Sequence, residues 1–246
     1  MHSLTLKNLK TELKKFASPQ KAEILARFFK IGKGEYGEGD IFIGVVVPDI
    51  RKTAKKYNAI GLRETEKLLH SKIHEERLCA LLILVEKFRN GGEKTKEQIY
   101  KLYLKNTKYI NNWDLVDLSS HHIVGEFSSD KPTDKLIKKP KSVLYKLAKS
   151  KNLWERRIAT LATFNFINKG QHKETLKIAE ILLKDKHDLI HKAVGWMLRE
   201  TGKRCSREIL EDFLKKHYKQ MPRTILRYAI EKFPEKKRKS YLGGKI

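Results

Sequence analysis

The amino-acid sequence predicts an all-α fold in which paired helices stack as an α-solenoid. Apolar residues recur three and four positions apart through most of the 246 residues, which is the spacing of one helix face. The β-branched run IFIGVVV contains a glycine and ends at Pro48, so we expect an irregular apolar connector there rather than a strand. Similar segments recur about every 40 residues, which is typical of HEAT-like helical repeats.

Start and stop signals place the individual helices along the chain. Ser18 and Pro19 form a start signal, Gly170 and Gly202 lie near helix ends, and Pro132 and Pro140 mark boundaries in the middle of the chain. We expect a frayed basic tail at about 234–246. The expected helices are 3–16, 19–30, 48–57, 61–70, 74–90, 95–108, 112–128, 141–149, 152–168, 173–184, 187–201, 205–218 and 222–233.

Four short segments define the repeat. They begin at Arg77, Asp117, Arg157 and Lys192, at intervals of 40, 40 and 35 residues, and each opens with a charged residue before an apolar or small-residue run. Equivalent positions on the inner helices of a solenoid line one concave surface. Because three of the four residues are cationic, this register predicts a concave basic groove with Asp117 set into it.

The charge balance indicates the class of partner. Lys and Arg together number 54 against 29 Asp and Glu, and the net charge is +25. Such a field favours a polyanion, most simply nucleic acid, over an anionic membrane surface. No apolar run approaches the roughly 18 residues that would span a bilayer, and the first residues lack the pattern of a secretory signal. We therefore expect one elongated domain over 1–246, cytoplasmic and monomeric.

Cysteine and histidine spacings predict no metal site. Cys79 and Cys205 lie far apart and match no zinc pattern, so we expect two inert thiols. The paired histidines lack a third ligand nearby, and we interpret them as exposed residues or residues at helix starts: His70 with His74, His187 with His191, and His121 with His122. No metal and no organic cofactor is implied.

Two tryptophans lie close in sequence to charged residues. Trp113 and Asp117 are four residues apart, so a helix places both on one face, where one ligand would meet an aromatic plane and a negative charge. Trp196 has the spacing that shares a helix face with Arg199 and Lys203. Aromatic planes among cations suit stacking on bases or sugars, and ordinary packing between helices is the other interpretation.

Five ordered blocks carry a resemblance to a known family: NNWDLVD followed by IVGEF, LWERRIATL, HKAVGWMLRETGK and MPRTILRYAIEKFPEKKR. Together they resemble the AlkD-like DNA alkylation repair family, a group of HEAT-like-repeat DNA glycosylases. The resemblance covers the chain from about FIGVVVPDIRKTAKKY to the C-terminus. It implies monofunctional excision of N3- and N7-alkylated purines, such as 3-methyladenine and 7-methylguanine, from duplex DNA. It further implies that Asp117 is the catalytic carboxylate, Trp113 and Trp196 face the lesion, and Arg157 binds the DNA backbone.

The residue types agree with that chemistry. An alkylated purine carries a positive charge and is already a good leaving group, so the remaining task is to stabilise charge that develops on the deoxyribose. A fixed carboxylate such as Asp117 does this by Coulomb attraction, and tryptophan faces attract cationic groups.

Other assignments and functions stay open. Residues 32–39, GKGEYGEG, match nothing in the family, so the first helices have no assigned role. A non-catalytic solenoid that binds DNA or structured RNA by charge is one alternative, and a protein-binding HEAT scaffold is another. The candidates for phosphate contacts, each of which would otherwise be part of a solvated helix face, are Arg77, Arg157, Lys192, Arg199, Lys203, Arg223 and Arg227.

Overall fold

A computed structural model describes residues 4–129 and 140–246. The all-α prediction is confirmed over these residues, which form no strand. The apolar run before Pro48 is a connector, as predicted, with one isolated bridge between Ile41 and Ile73. The predicted helix start at Ser3 and the boundary at Pro132 lie outside the described residues. None of the described helices has the length and apolar character needed to cross a bilayer.

The helix bounds follow the predicted ones closely in most of the chain. A short 3-10 helix at Thr107–Tyr109 precedes α7, and a π-helical turn at His121–Gly125 precedes α8. The α-helices are α1 (Leu6–Lys14), α2 (Pro19–Phe28), α3 (Val47–Lys56), α4 (Leu62–Leu69), α5 (His74–Asn90), α6 (Glu93–Lys105), α7 (Trp113–Asp117), α8 (Glu126–Ser129), α9 (Pro140–Ala148), α10 (Leu153–Asn168), α11 (Lys173–Leu182), α12 (Asp188–Arg204), α13 (Arg207–His217), α14 (Arg223–Ala229) and α15 (Glu235–Leu242).

The chain divides into two compact units, an N-terminal unit that ends at Ile123 and a C-terminal unit that begins at Val124. In the N-terminal unit α5 is the central helix, and α3, α4, α6 and α7 all pack against it. Its middle, from Leu78 to Val85, is buried on every side. A helix that is apolar all round belongs in a core, so α5 organises the packing of this unit.

The first turn of α5 fixes the connector that precedes α3. The buried carboxylate of Glu75 accepts hydrogen bonds from the backbone N–H groups of Ile43, Gly44 and Val45 at 3.0, 2.8 and 3.2 Å. Gly44 has φ +81°, and a Cβ there would collide with the backbone carbonyl of Ser18. Glycine is therefore required where the connector passes the start of α2.

The prediction of one continuous helix over 112–128 is wrong. The chain leaves the α-helix after Asp117 and resumes helical structure in the π-helical turn. The hydroxyl of Ser119 donates to the carbonyl of Leu115 at 2.5 Å and lies 2.9 Å from the hydroxyl of Tyr103. A serine that bonds to the backbone competes with regular helix geometry, so α7 is only five residues long.

In the C-terminal unit three helices pack in succession. The central helix α12 contacts α10 on one side and α14 on the other, and α11 packs on both α10 and α12. At Gly195 on α12, an added Cβ would lie 2.5 Å from the Cβ of Tyr228 and 2.7 Å from the carbonyl of Ile225. This glycine therefore sets how closely α12 and α14 approach.

The prediction that the tail from residue 234 is frayed is also wrong, because the tail contains α15. Tyr241 is 2% exposed, and its ring packs on Tyr218 at 5.6 Å and on Phe233 at 5.8 Å between centroids. Lys237 forms an ion pair with Glu211 at 2.6 Å. Burial of an aromatic side chain contributes about 1.5–3 kcal/mol to the free energy of folding. Tyr241 thus anchors a strongly basic segment.

Candidate catalytic site and nucleic-acid interface

Trp113 and Asp117 are the first and last residues of α7, one helical turn apart, as the spacing predicted. The helix starts at Asn112, whose side-chain oxygen accepts a hydrogen bond from the backbone N–H of Trp113 at 2.8 Å. Both site side chains are half-buried. An indole and a carboxylate are therefore held on one short helix with part of each side chain open to a ligand.

Trp113 belongs to an aromatic cluster that the sequence did not reveal. Its ring stacks on Phe29 at 5.0 Å between centroids with an interplanar angle of 18°, and it meets the edge of Phe28 at 5.7 Å. Phe28 is 61% exposed, although it is a large apolar side chain. The available signal was the pair Phe28 and Phe29 at the end of α2.

Behind this cluster lies a network of buried charged groups. The ring of His74, 2% exposed, lies with Nδ1 3.0 Å from Asp40 Oδ2 and Nε2 2.8 Å from Asp114 Oδ2. Asp40 also pairs with Arg77 at 2.6 Å and accepts a hydrogen bond from Asn112 at 3.3 Å. The network therefore joins the connector, α5 and the start of α7.

The charge states in this network follow from its geometry. Burial alone disfavours a charged imidazole, but Asp114 and Asp40 outweigh it, so the pKa of His74 is raised. Burial likewise opposes ionisation of Asp40, yet the hydrogen bond from His74 and the charge of Arg77 leave the pKa of Asp40 lowered. Opposite charges within hydrogen-bond distance favour the ionised form of each partner.

The histidines differ in part from the interpretation as exposed residues. His74 is indeed the first residue of α5, but it is buried. His121 and His122 are partly buried side chains, and burial lowers the pKa of His121 to about 4 and that of His122 to about 3. Among the described residues, no group of three His, Cys, Asp or Glu side chains is arranged to hold a metal ion.

The observed helix starts bear on the predicted repeat register. Arg77 lies four residues after Ile73, the N-cap of α5. In the other three segments the opening residue lies five residues after the N-cap of its helix, and a residue of α14 occupies the same position. These residues are Asp117 on α7, Arg157 on α10, Lys192 on α12 and Arg227 on α14. The predicted equivalence of Arg77 with the other residues is therefore off by one residue.

The hydrogen bonds of Arg77 show the same offset of one residue. The guanidinium of Arg77 donates to the carbonyls of Ser71 at 3.1 Å and Lys72 at 3.2 Å, six and five residues before it. Arg156 makes the matching bonds on α10, both at 3.0 Å, to the carbonyls six and five residues before it. Arg77 thus corresponds to Arg156 and has a structural task. With 4% exposure and Asp40 as its partner, Arg77 is unavailable for a phosphate, which corrects that assignment.

Arg157 is buried as well, at 5% exposure, and its Nη1 donates to the carbonyl of Leu189 at 2.5 Å. This contact ties α10 to the first turn of α12. The contact between this guanidinium and a DNA phosphate stays a prediction.

Trp196 and the remaining cations lie in the C-terminal unit. Trp196 follows Gly195 on α12, is half-buried, and lies 6.2 Å from the ring of Phe164. Trp154, near the start of α10, is buried. Lys192 pairs with Asp188 at 2.7 Å, Arg199 pairs with Glu231, Arg223 donates to the carbonyl of Leu242 at 2.6 Å, and Lys203 and Arg227 are exposed.

Comparisons with known proteins define the class of protein to which this fold belongs. A family model described as "DNA alkylation repair enzyme" matches residues 9–233, so the chain belongs to that family, as the resemblance predicted. A solved structure, described as a predicted DNA alkylation repair enzyme from Enterococcus faecalis, is similar with a TM-score of 0.68. The match covers 89% of this chain and 97% of that chain at 15% identity, which shows a shared fold. Among curated proteins, none matches the chain.

Proposed function

We propose that this chain is a monofunctional DNA glycosylase that hydrolyses the N-glycosidic bond of N3- and N7-alkylated purines in duplex DNA. The observation that supports this most is the pairing of Trp113 and Asp117 on α7 in a member of the DNA alkylation repair enzyme family. An alkylated purine is cationic, and an aromatic face beside a carboxylate suits a cation better than it suits a phosphate.

Asp117 is proposed to stabilise the sugar as the bond breaks. The electron pair of the C1′–N bond moves to the purine and neutralises it, while positive charge develops on the deoxyribose. A carboxylate about 4 Å away contributes about 4 kcal/mol at an effective dielectric constant near 20. Water then adds to C1′ and loses a proton. Because the leaving base is already activated, a second carboxylate acting as general acid is not needed.

Trp113 is proposed to contact the lesion through the ring face opposite Phe29. Phe29 supports the opposite side of the indole at 5.0 Å, so the ring is held in one orientation. A pre-oriented aromatic surface loses little conformational freedom when a ligand binds. The resemblance gives Trp196 the matching role, and its neighbour Gly195 fixes the packing of the helix that carries it.

The helices are proposed to form a solenoid of HEAT-like repeats with a concave basic surface that binds the DNA backbone. Supporting observations are the recurring position five residues after the N-cap and the successive packing of α10, α12 and α14. That position holds a cation on each of these three helices. The proposed phosphate contacts are Arg157, Lys192 and Arg227 at this position, together with Arg199, Lys203 and Arg223.

The test is incubation of the protein with a duplex that contains one 7-methylguanine, scored for free base and for abasic sites. The proposal predicts stoichiometric release of both products without strand cleavage, and little release from an unmodified duplex. The net charge of +25 favours a second candidate, a non-catalytic DNA-binding protein. That candidate predicts tight, salt-sensitive binding to the same duplex and no free base.

A further inference from the structure

His74 is placed where its protonation state governs the start of α7. Its two ring nitrogens lie 3.0 and 2.8 Å from carboxylate oxygens of Asp40 and Asp114. A neutral imidazole has one N–H and donates only once, whereas an imidazolium donates twice. Both contacts are therefore satisfied together when the ring carries its second proton.

The count of buried charges also favours the doubly protonated ring of His74. Asp40 and Asp114 supply two negative charges, and Arg77 and a protonated His74 supply two positive ones. If His74 were neutral, one of the buried carboxylates would lose its counter-charge, which is costly in a low-dielectric interior. One oxygen of Asp114, Oδ1, is already buried without a hydrogen-bond partner among the described residues. Asp114 consequently relies on His74.

The rings around His74 connect it to the candidate site. Phe42 stacks on the imidazole at 4.5 Å with an angle of 24°, and Phe29 lies against it at 5.0 Å. Phe29 is also the ring on which Trp113 stacks. A cation that is attracted to an aromatic face adds to the cohesion of such a group. Trp113 is thereby linked to His74 twice, through Phe29 and through its chain neighbour Asp114.

We propose that His74, as a buried imidazolium, is a positioning residue that holds α7 so that Trp113 and Asp117 meet the alkylated nucleotide. The catalytic part of this inference rests on the proposed function, and the link between His74 and Trp113 does not. The groups that face the ring are Asp40 from the connector, Asp114 from α7 and Arg77 from its own helix.

The inference predicts a loss of function on the alkaline side. Since the pKa of His74 is raised, the network is complete below the ordinary histidine value of about 6.5 and is lost as the pH rises through the folded-state pKa. Base release should fall over the same range. A misplaced catalytic helix lowers the rate by about tenfold or more.

The experiment follows two signals of the full chain by NMR from pH 5 to 10. They are the ring of His74 and the indole N–H of Trp113, the latter assigned with a Trp113→Phe variant. In the wild type, both signals should move with one common midpoint above pH 6.5. In His74→Gln, the Trp113 signal should no longer move with pH, while the matched change His70→Gln should leave the wild-type titration intact.

Single-turnover release of 7-methylguanine is then measured over the same pH range. The wild-type rate should decline with the midpoint found for His74, and His74→Gln should be about tenfold slower or more, without that decline. If His74→Gln does not fold, Asp114→Asn serves instead, and it should move the His74 midpoint to lower pH.

A Trp113 signal that titrates identically in His74→Gln, or a His74 ring that is neutral at pH 6, overturns the inference. A wild type that releases no base, but whose His74 and Trp113 titrate together, contradicts the proposed glycosylase and leaves the link between His74 and Trp113 standing. The two failures are therefore distinguishable.

Discussion

At the scale of single residues, side chains that hydrogen-bond to nearby backbone groups define the helix that carries the candidate site. Asn112 caps the start of α7, and Ser119 bonds back to Leu115 just beyond its end. These local bonds leave Trp113 and Asp117 at the two ends of one short helix. The position of the proposed catalytic carboxylate is thus set by polar contacts within a few residues of it, as well as by the core beneath.

A test at this scale concerns Gly195. An alanine Cβ at this position would lie 2.5 Å from the Cβ of Tyr228, so Gly195→Ala forces α12 and α14 apart. We expect the free energy of unfolding in urea to fall by about 1–3 kcal/mol. Gly61→Ala is the matched control, because nothing lies within 4 Å of a Cβ at that helix start. Equal stability of the two variants would contradict the packing described for α12.

Residue-scale prediction from sequence succeeded where local spacing was sufficient and failed where partners were distant in the chain. The interval between Trp113 and Asp117 needed only a helix. The burial of His74 depends on Asp40 and Asp114, which are 34 and 40 residues away in sequence. No local sequence pattern predicts contacts between residues so far apart. Arg77 was assigned to the wrong class of contact for the same reason, since its partner Asp40 is 37 residues away.

At the scale of elements, α5 holds the N-terminal unit together through its first turn. Four consecutive charged or polar side chains there, from His74 to Arg77, are buried. Glu75 fixes the connector, Glu76 pairs with Lys10 of α1 at 2.7 Å, and His74 contacts α7. The start of one buried helix therefore sets the positions of three other segments.

A second test probes the connector. Glu75→Gln keeps a carbonyl oxygen in the place of Oε1, which accepts from the N–H groups of Ile43, Gly44 and Val45. It removes the negative charge that strengthens these bonds and puts an NH₂ donor in the place of Oε2, which accepts from the Ile43 N–H at 3.2 Å. We expect a loss of about 1.5–3 kcal/mol in the free energy of unfolding. Hydrogen exchange of these three amides should also accelerate.

The control for that variant is Glu64→Gln on α4, because Glu64 is a partly exposed residue whose partner is Lys67. It should leave both the stability and the three exchange rates near their wild-type values. Unchanged amide exchange in Glu75→Gln would show that other contacts hold the connector.

Elements were predictable from apolar periodicity, but two were missed for physical reasons. In the tail, a basic composition concealed Tyr241, whose burial against Tyr218 and Phe233 stabilises α15. In the segment after Asp117, apolar spacing continues although the backbone departs from the α-helix. At that point the hydroxyl of Ser119 bonds to the carbonyl of Leu115 and lies 2.9 Å from the hydroxyl of Tyr103 on α6, contacts that periodicity does not encode.

At the scale of the whole molecule, the excess of positive charge and the family membership point to DNA as the substrate. The charge of +25 raises the affinity for any polyanion, and the family is one of DNA alkylation repair enzymes. Contacts to phosphates release counterions, so affinity falls steeply with salt. We expect a loss of about a hundredfold or more between 50 and 200 mM salt if about six phosphates are contacted.

A third test assigns part of that salt dependence to one residue. Arg227 is exposed on α14 and, like Arg157 and Lys192, lies five residues after the N-cap of its helix. Arg227→Ala should weaken duplex binding at all sequences and reduce the slope of log affinity against log salt by about one unit. Arg63→Ala removes the same charge from an exposed position on α4 and should leave the slope at its wild-type value. A slope that Arg227→Ala does not change would remove Arg227 from the proposed interface.

The central claim is that Asp117 stabilises the sugar while the alkylated base leaves, and Asp117→Asn tests it most directly. The measurement is single-turnover release of 7-methylguanine from a duplex, with Asp212→Asn, an exposed carboxylate on α13, as the control. We predict that release falls by about a hundredfold to a thousandfold in Asp117→Asn with duplex affinity similar or higher, and that it stays unchanged in the control. Release by Asp117→Asn at the wild-type rate would contradict the account.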